Sequence, residues 1–162
     1  MVTGNRGGAD KGIGMTETAE KTSGGCMCGA VRYEATGAPI STNYCHCTSC
    51  RKHTGAPAVV LVGYKLDQVT FTKGERKIYE SSRGVGRAFC GRCGTPLTWE
   101  GDGGELGPLV EVLISTLDNP DAFAPQGHLH HAERLSWFET TDNLPRYRAW
   151  DDEAPYLTAP VT

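Results

Sequence analysis

The sequence predicts a mainly β fold of short antiparallel strands. Apolar and polar residues alternate in many short runs, each rich in Val, Ile, Thr or aromatics and closed by Gly, Pro, Asn or Asp. No segment keeps a helical period across three turns. Seven cysteines fall into three tight clusters, which points to strands built around metal. At 162 residues and 38% hydrophobic, the chain has the length of one compact domain.

Taken in order, residues 1–22 are rich in Gly, Thr and charge without periodicity and predict a disordered leader, in which Met15 is a candidate natural start. The domain is expected over residues 23–155. Val31, Tyr33 and Ala35 alternate with Arg32, Glu34 and Thr36, which predicts a half-buried strand. Further strands are expected at "AVVLVGY" (58–64), "VTFT" (69–72), "RKIYES" (76–81), "RAFC" (87–90), "PLTWE" (96–100) and "LVEVLIST" (109–116). Single helical turns are expected at "TSCRKHTG" (48–55) and "TLDNPDAF" (116–123). Apart from the cysteine knuckles, nothing repeats.

No run approaches the about 18 apolar residues of a membrane span, and the first 25 residues lack the apolar centre of a signal peptide. A cytoplasmic protein with no membrane partner is therefore expected. A net charge of −3, with no basic tail, argues against nucleic-acid binding.

A cytoplasmic setting keeps thiols reduced, and the cysteine count is odd, so metal explains the thiols better than disulfides. Cys26 and Cys28 form a C-x-C pair and Cys90 and Cys93 a C-x2-C pair, with glycines beside them that let the backbone turn tightly around an ion. Two such pairs from distant parts of a chain make a closed four-cysteine site, the expected structural zinc. Cys45, Cys47 and Cys50 remain, and three thiolates wrap an ion without closing its shell. That is the pattern of a catalytic zinc whose fourth position takes water or substrate. Two zinc ions per chain follow.

Thiolates make the formal charge more negative than −3 even after zinc binds, so nearby cations are expected to offset it. Arg87 and Arg92 lie near Cys90 and Cys93 in sequence, while Arg51, Lys52 and His53 follow Cys50 and are candidate substrate contacts that suit a carboxylate-bearing ligand. His46 and His53 are the nearest candidates to move a proton. His46, pinned between two ligands, also suits local packing. In "HLHH", residues 128–131, a strand would put His128 and His130 on one face and His131 on the other, so at most two reach one ion. Trp99, Trp137, Phe138 and Tyr147 read as core or pocket walls.

Four stretches, "GGCMCGAVRYEATG", "YCHCTSCRKHTGAP", "FTKGERKIYESSRGVGRAFCGRCGTPLTWE" and "SWFETTDNLPRY", together resemble the family of glutathione-dependent formaldehyde-activating enzymes, which also includes centromere protein V. The resemblance spans about residues 23–150. It implies a β-tent fold and two zinc ions, with Cys26, Cys28, Cys90 and Cys93 in the place of the structural ligands and Cys45, Cys47 and Cys50 in that of the catalytic ones. It also implies a carbon-sulfur lyase-type activity that joins glutathione, or another small thiol, to formaldehyde or a related small carbonyl compound, giving S-hydroxymethylglutathione in the namesake. Two other classes compete: a non-catalytic zinc module for protein or nucleic-acid interaction, and a redox or iron-sulfur protein.

Overall fold

A computed structural model describes residues 20–151, 155 and 156. Among these the chain forms ten strands in two sheets and a single α-helix, the mainly β architecture that the alternation predicts. In chain order the elements are β1 (Lys21–Gly25), β2 (Arg32–Thr36), β3 (Ser41–Cys45), α1 (Thr48–Thr54), β4 (Val59–Lys65), β5 (Val69–Lys73) and β6 (Arg76–Ser82). β7 (Val85–Cys90), β8 (Pro96–Asp102), β9 (Pro108–Leu113) and β10 (Gly127–Leu129) follow. The expected leader lies outside the described residues up to residue 19, but β1 begins within it, at Lys21.

β1, β2 and β5 make a small antiparallel sheet, and the remaining seven strands run in the order β10-β3-β4-β9-β8-β7-β6. Every pairing is antiparallel except that of β10 with β3, which is parallel and departs from the expected pattern. Three strands escaped the sequence pattern: β1 (KTSGG), β3 (STNYC) and β10 (GHL). They carry few apolar residues and are held by backbone pairing to β2, β4 and β3, which composition does not record. Gly24 shows what this requires. Its cross-strand partner Tyr33 lays its ring over the glycine and hydrogen-bonds Thr116 Oγ1 at 2.6 Å, so a Cβ at Gly24 would collide with the Tyr33 ring.

The strand expected over 109–116 ends at Leu113. Ile114–Thr116 instead forms a 3-10 turn, in which the Thr116 hydroxyl donates to Leu113 O at 2.7 Å and so competes with ladder pairing. Of the second helical turn, only Pro120–Ala122 is helical, again 3-10. The first turn is α1: Cys47 caps its N-terminus, and Gly55 ends it at φ 68°, a left-handed conformation that glycine adopts without a Cβ clash.

Period-two alternation gives the large sheet two different faces. Val62, Tyr64, Leu97, Val110 and Val112 are fully buried in one cluster with Tyr33 and Ala35 of the small sheet, so the core sits between the sheets. Burial of each large apolar side chain there contributes about 1.5–3 kcal/mol. Leu61 and Glu111, of opposite parity to their core neighbours, fall on the other face with Arg87 and Trp99; Leu97 and Trp99 differ in face because Leu97 has no partner where the β7–β8 register shifts. Register aligns three of them in one row across the sheet, Arg87 beside Trp99, Trp99 beside Glu111, and Glu111 beside Gly63.

Candidate metal centres and the cavity beside one of them

Cys26 and Cys28 follow β1, and Cys90 and Cys93 bracket the turn that leaves β7, so the tip of each sheet supplies one pair. All four sulfurs lie within 4.8 Å of one another, with Cys26–Cys28 at 3.6 Å and Cys28–Cys90 at 3.9 Å. A tetrahedral ion with bonds of about 2.3 Å separates its sulfurs by about 3.8 Å, so the set fits a thiolate-bound metal. Backbone N–H groups already point at the sulfurs, Val31 N at Cys26 Sγ (3.2 Å) and Arg92 N at Cys90 Sγ (3.4 Å). Such donors favour the anionic form that a metal requires. The Thr95 hydroxyl, 3.1 Å from Cys93 Sγ, and then the Thr95 backbone N–H lower the Cys93 thiol to about 5.

The second cluster is built within one short stretch. Cys45 ends β3, Cys47 caps α1 and Cys50 lies in its first turn, with the three sulfurs within 4.8 Å of one another. Cys50 N donates to Cys47 Sγ at 3.3 Å, so the knuckle itself caps the helix. Hydrogen bonds from the Cys45 and Cys50 thiols lower the Cys47 thiol, and the same pairings together with burial raise that of Cys45. Arg87 brings a cation: its Nη1 donates to Cys50 Sγ at 3.6 Å while its Nε donates to Ser81 Oγ at 3.1 Å. Arg87 thus serves the three-cysteine cluster and not, as sequence proximity to Cys90 implied, the four-cysteine one. Three positions along a strand invert the side-chain direction.

A cavity of about 330 Å³ opens beside this cluster. Cys45, Cys47 and Cys50 line it, together with Arg87, Trp99, Glu111, His130, Glu133 and Trp150, whereas no cysteine of the other cluster does. Burial, chiefly, raises the Glu111 carboxyl to about 7; Asp151 and Cys47 add to the shift and Arg87 opposes it.

The remaining candidates sit elsewhere. Arg51 is spent on structure: Nε donates to His46 O (3.0 Å), and Nη2 to Thr48 Oγ1 (3.1 Å) and Glu133 O (3.2 Å). Lys52 is exposed, His53 Nε2 is buried without a hydrogen-bond partner among the described residues, and neither they nor Arg51 line the cavity. His46 is buried in a histidine cluster, with Nε2 2.9 Å from His128 Nδ1; His128 Nε2 in turn lies 3.1 Å from Asp142. Burial lowers His46 to about 3 and His131 to about 4. Strand geometry does not run through "HLHH": β10 ends at Leu129, because His130 turns to φ 51°. His128 and His131 therefore share the buried cluster and His130 alone faces the cavity, the reverse of strand alternation. Trp99 forms a cavity wall, Phe138 packs near the His46 ring (6.1 Å), Tyr147 lies against Gly127 and Trp137 is exposed.

Glu111 and Trp150 are cavity residues that sequence reasoning missed, whereas it marks His130, with its neighbours, as a candidate metal ligand. For His130 the signal is the histidine run; Glu111 falls in the strand expected over 109–116, where alternation puts it opposite the apolar residues and marks no site. Among solved structures, a crystal structure of a Rhodobacter sphaeroides protein is similar, at 22% identity and a TM-score of 0.48, covering 59% of this chain and 87% of that one. No curated protein matches the chain. A family model described as "Glutathione-dependent formaldehyde-activating enzyme" matches residues 21–133, a span that holds both cysteine clusters and ends at Glu133 in the cavity wall. By that match, the chain belongs to the glutathione-dependent formaldehyde-activating enzyme family.

Proposed function

We propose that this chain is a zinc-dependent enzyme of the carbon-sulfur lyase type, which adds a small thiol such as glutathione to formaldehyde or a related small carbonyl compound. The observation that carries the reading is that the three-cysteine cluster lines a cavity while the four-cysteine cluster does not. Cys26, Cys28, Cys90 and Cys93 would hold a structural zinc, and Cys45, Cys47 and Cys50 a catalytic one. When bound there, zinc supplies a Lewis-acidic position that favours a thiol as its thiolate near neutral pH. Arg87 offsets the thiolate charge at Cys50. Trp99 and Trp150, with ring centroids 6.5 Å apart, wall the cavity with apolar surface and limit water around the reacting carbonyl. Reversal of the addition would use the same residues.

Formaldehyde exchanges with thiols without a catalyst, so the test compares rates. Magnetisation-transfer NMR on free and thiol-bound formaldehyde should give faster exchange with wild type than in the uncatalysed mixture, and uncatalysed exchange with Cys47→Ser. Equal rates for both proteins across several thiols would overturn the enzyme reading and favour a non-catalytic zinc module.

A further inference from the structure

Among the described residues, two carboxylates line the cavity in different circumstances. Glu133 is engaged: Thr48 N and Thr48 Oγ1 donate to its Oε2 at 3.0 and 3.2 Å, and His130 Nδ1 lies 3.3 Å from its Oε1. Glu111 is half-buried in the middle of a seven-stranded sheet, and its carboxylate has no salt-bridge or hydrogen-bond partner among the described residues. Its neighbours in the cross-strand row are the Trp99 side chain and Gly63, so the residue directly opposite on β4 offers no side chain to pair with it. An unpaired carboxylate at such a position costs stability, which makes it a candidate functional group.

We infer that Glu111 is the proton carrier of the cavity, taking the proton of the incoming thiol and returning it to the carbonyl oxygen. The inference rests on the thiol-addition reading above. The step balances without a redox partner. The S–H proton passes to the Glu111 carboxylate, a sulfur lone pair forms the C–S bond, the C=O π bond breaks toward oxygen, and that oxygen takes the proton from Glu111. A carboxyl that titrates near 7 serves both halves at neutral pH. The charged groups that bear on it are Arg87 on β7, Cys47 at the cap of α1 and Asp151 in the C-terminal segment, with His130 and Glu133 elsewhere in the cavity wall. Among the described residues, no other carboxylate in the cavity wall is free of a partner.

The test uses zinc-loaded full-length protein and glutathione. Calorimetry of thiol binding in buffers of different ionisation enthalpy counts released protons, and wild type should release fewer than Glu111→Gln because Glu111 keeps the proton. In the exchange assay, Glu111→Gln should lower kcat by about 10²-fold with little change in KM, and should lose the pH limb near 7. Glu111→Asp, which keeps a carboxyl, should retain that limb at reduced kcat; it also serves as the test variant if Glu111→Gln fails to fold. Equal proton counts in wild type and Glu111→Gln, or an undiminished kcat, would overturn the inference alone. Wild type without any rate enhancement would overturn the thiol-addition reading and this inference with it.

Discussion

Arg87 and Cys90 stand three positions apart on β7 and face different cysteine clusters, each a candidate metal centre: Arg87 Nη1 donates to Cys50 Sγ at 3.6 Å, while Cys90 belongs to the four-cysteine cluster. One strand thereby links the two centres across the sheet. The guanidinium is almost fully buried, which a lone cation would not tolerate. A metal-bound thiolate at Cys50 would compensate it.

Removal of that cation should act on one centre only. Arg87→Met keeps the buried stem and deletes the donor, so zinc affinity at the three-cysteine cluster should fall about 10–100-fold, the usual effect of losing a partner of a metal ligand. Affinity at the four-cysteine cluster should not change. Stepwise competition with a chromophoric chelator separates the two, and a parallel loss at both centres would contradict the assignment of Arg87.

The clusters should also separate by their consequences for folding. Purified protein supplied with zinc is expected to carry two ions per chain by elemental analysis. Cys93→Ser opens a cluster that ties the two sheets together, and structural zinc sites contribute on the order of 10 kcal/mol to small domains, so this variant should melt far lower or not fold. Cys47→Ser should stay folded, since a serine hydroxyl can still accept the Cys50 N–H and cap α1. Equal losses of melting temperature in both would show that the two centres do not divide into structural and catalytic roles.

The contrast between these residues and Glu111 shows what the sequence could and could not disclose. Cysteines two and three residues apart fix a local backbone, so both clusters were legible, the four-cysteine one also through the glycines beside it. The core face was legible too, because alternation marks Val62, Tyr64, Val110 and Val112 directly. The same alternation marks Glu111 as polar and outward, which is correct, but "outward" here means into a cavity. That cavity exists because α1 and the residues around His130 and Trp150 close over the sheet, and such closure depends on contacts between distant segments. β10 was hidden for a related reason: a three-residue strand in parallel pairing has no pattern of its own. Arg51 misled because its place beside Cys50 gives no sign that its guanidinium folds back onto His46 O.

The histidine cluster should make the fold sensitive to acid. His131 is buried, its Nδ1 lies 2.6 Å from the Tyr156 hydroxyl, and its ring meets His46 edge-on at 5.1 Å. Burial first, then the positive field of Arg134, and then His128 and Arg146, lower its pKa from 6.5 to about 4, with Glu139 opposing. The neutral ring is therefore the form that the fold accepts. Between about 6.5 and about 4 the unfolded chain binds more protons at this position than the native one, so stability is full above that window and falls as pH drops through it. For one buried histidine the loss reaches up to about 3 kcal/mol. His46 neighbours Cys45 and Cys47, so opening of the cluster would also loosen the cavity. Urea midpoints measured at about pH 7.5, 6 and 5 should fall for wild type, and fall less steeply for His131→Gln, which keeps a polar group toward Tyr156 but does not titrate. Metal release in acid affects both proteins alike, so the difference between their slopes isolates the histidine. Identical slopes would place the acid sensitivity elsewhere, at the thiolates or at Asp142.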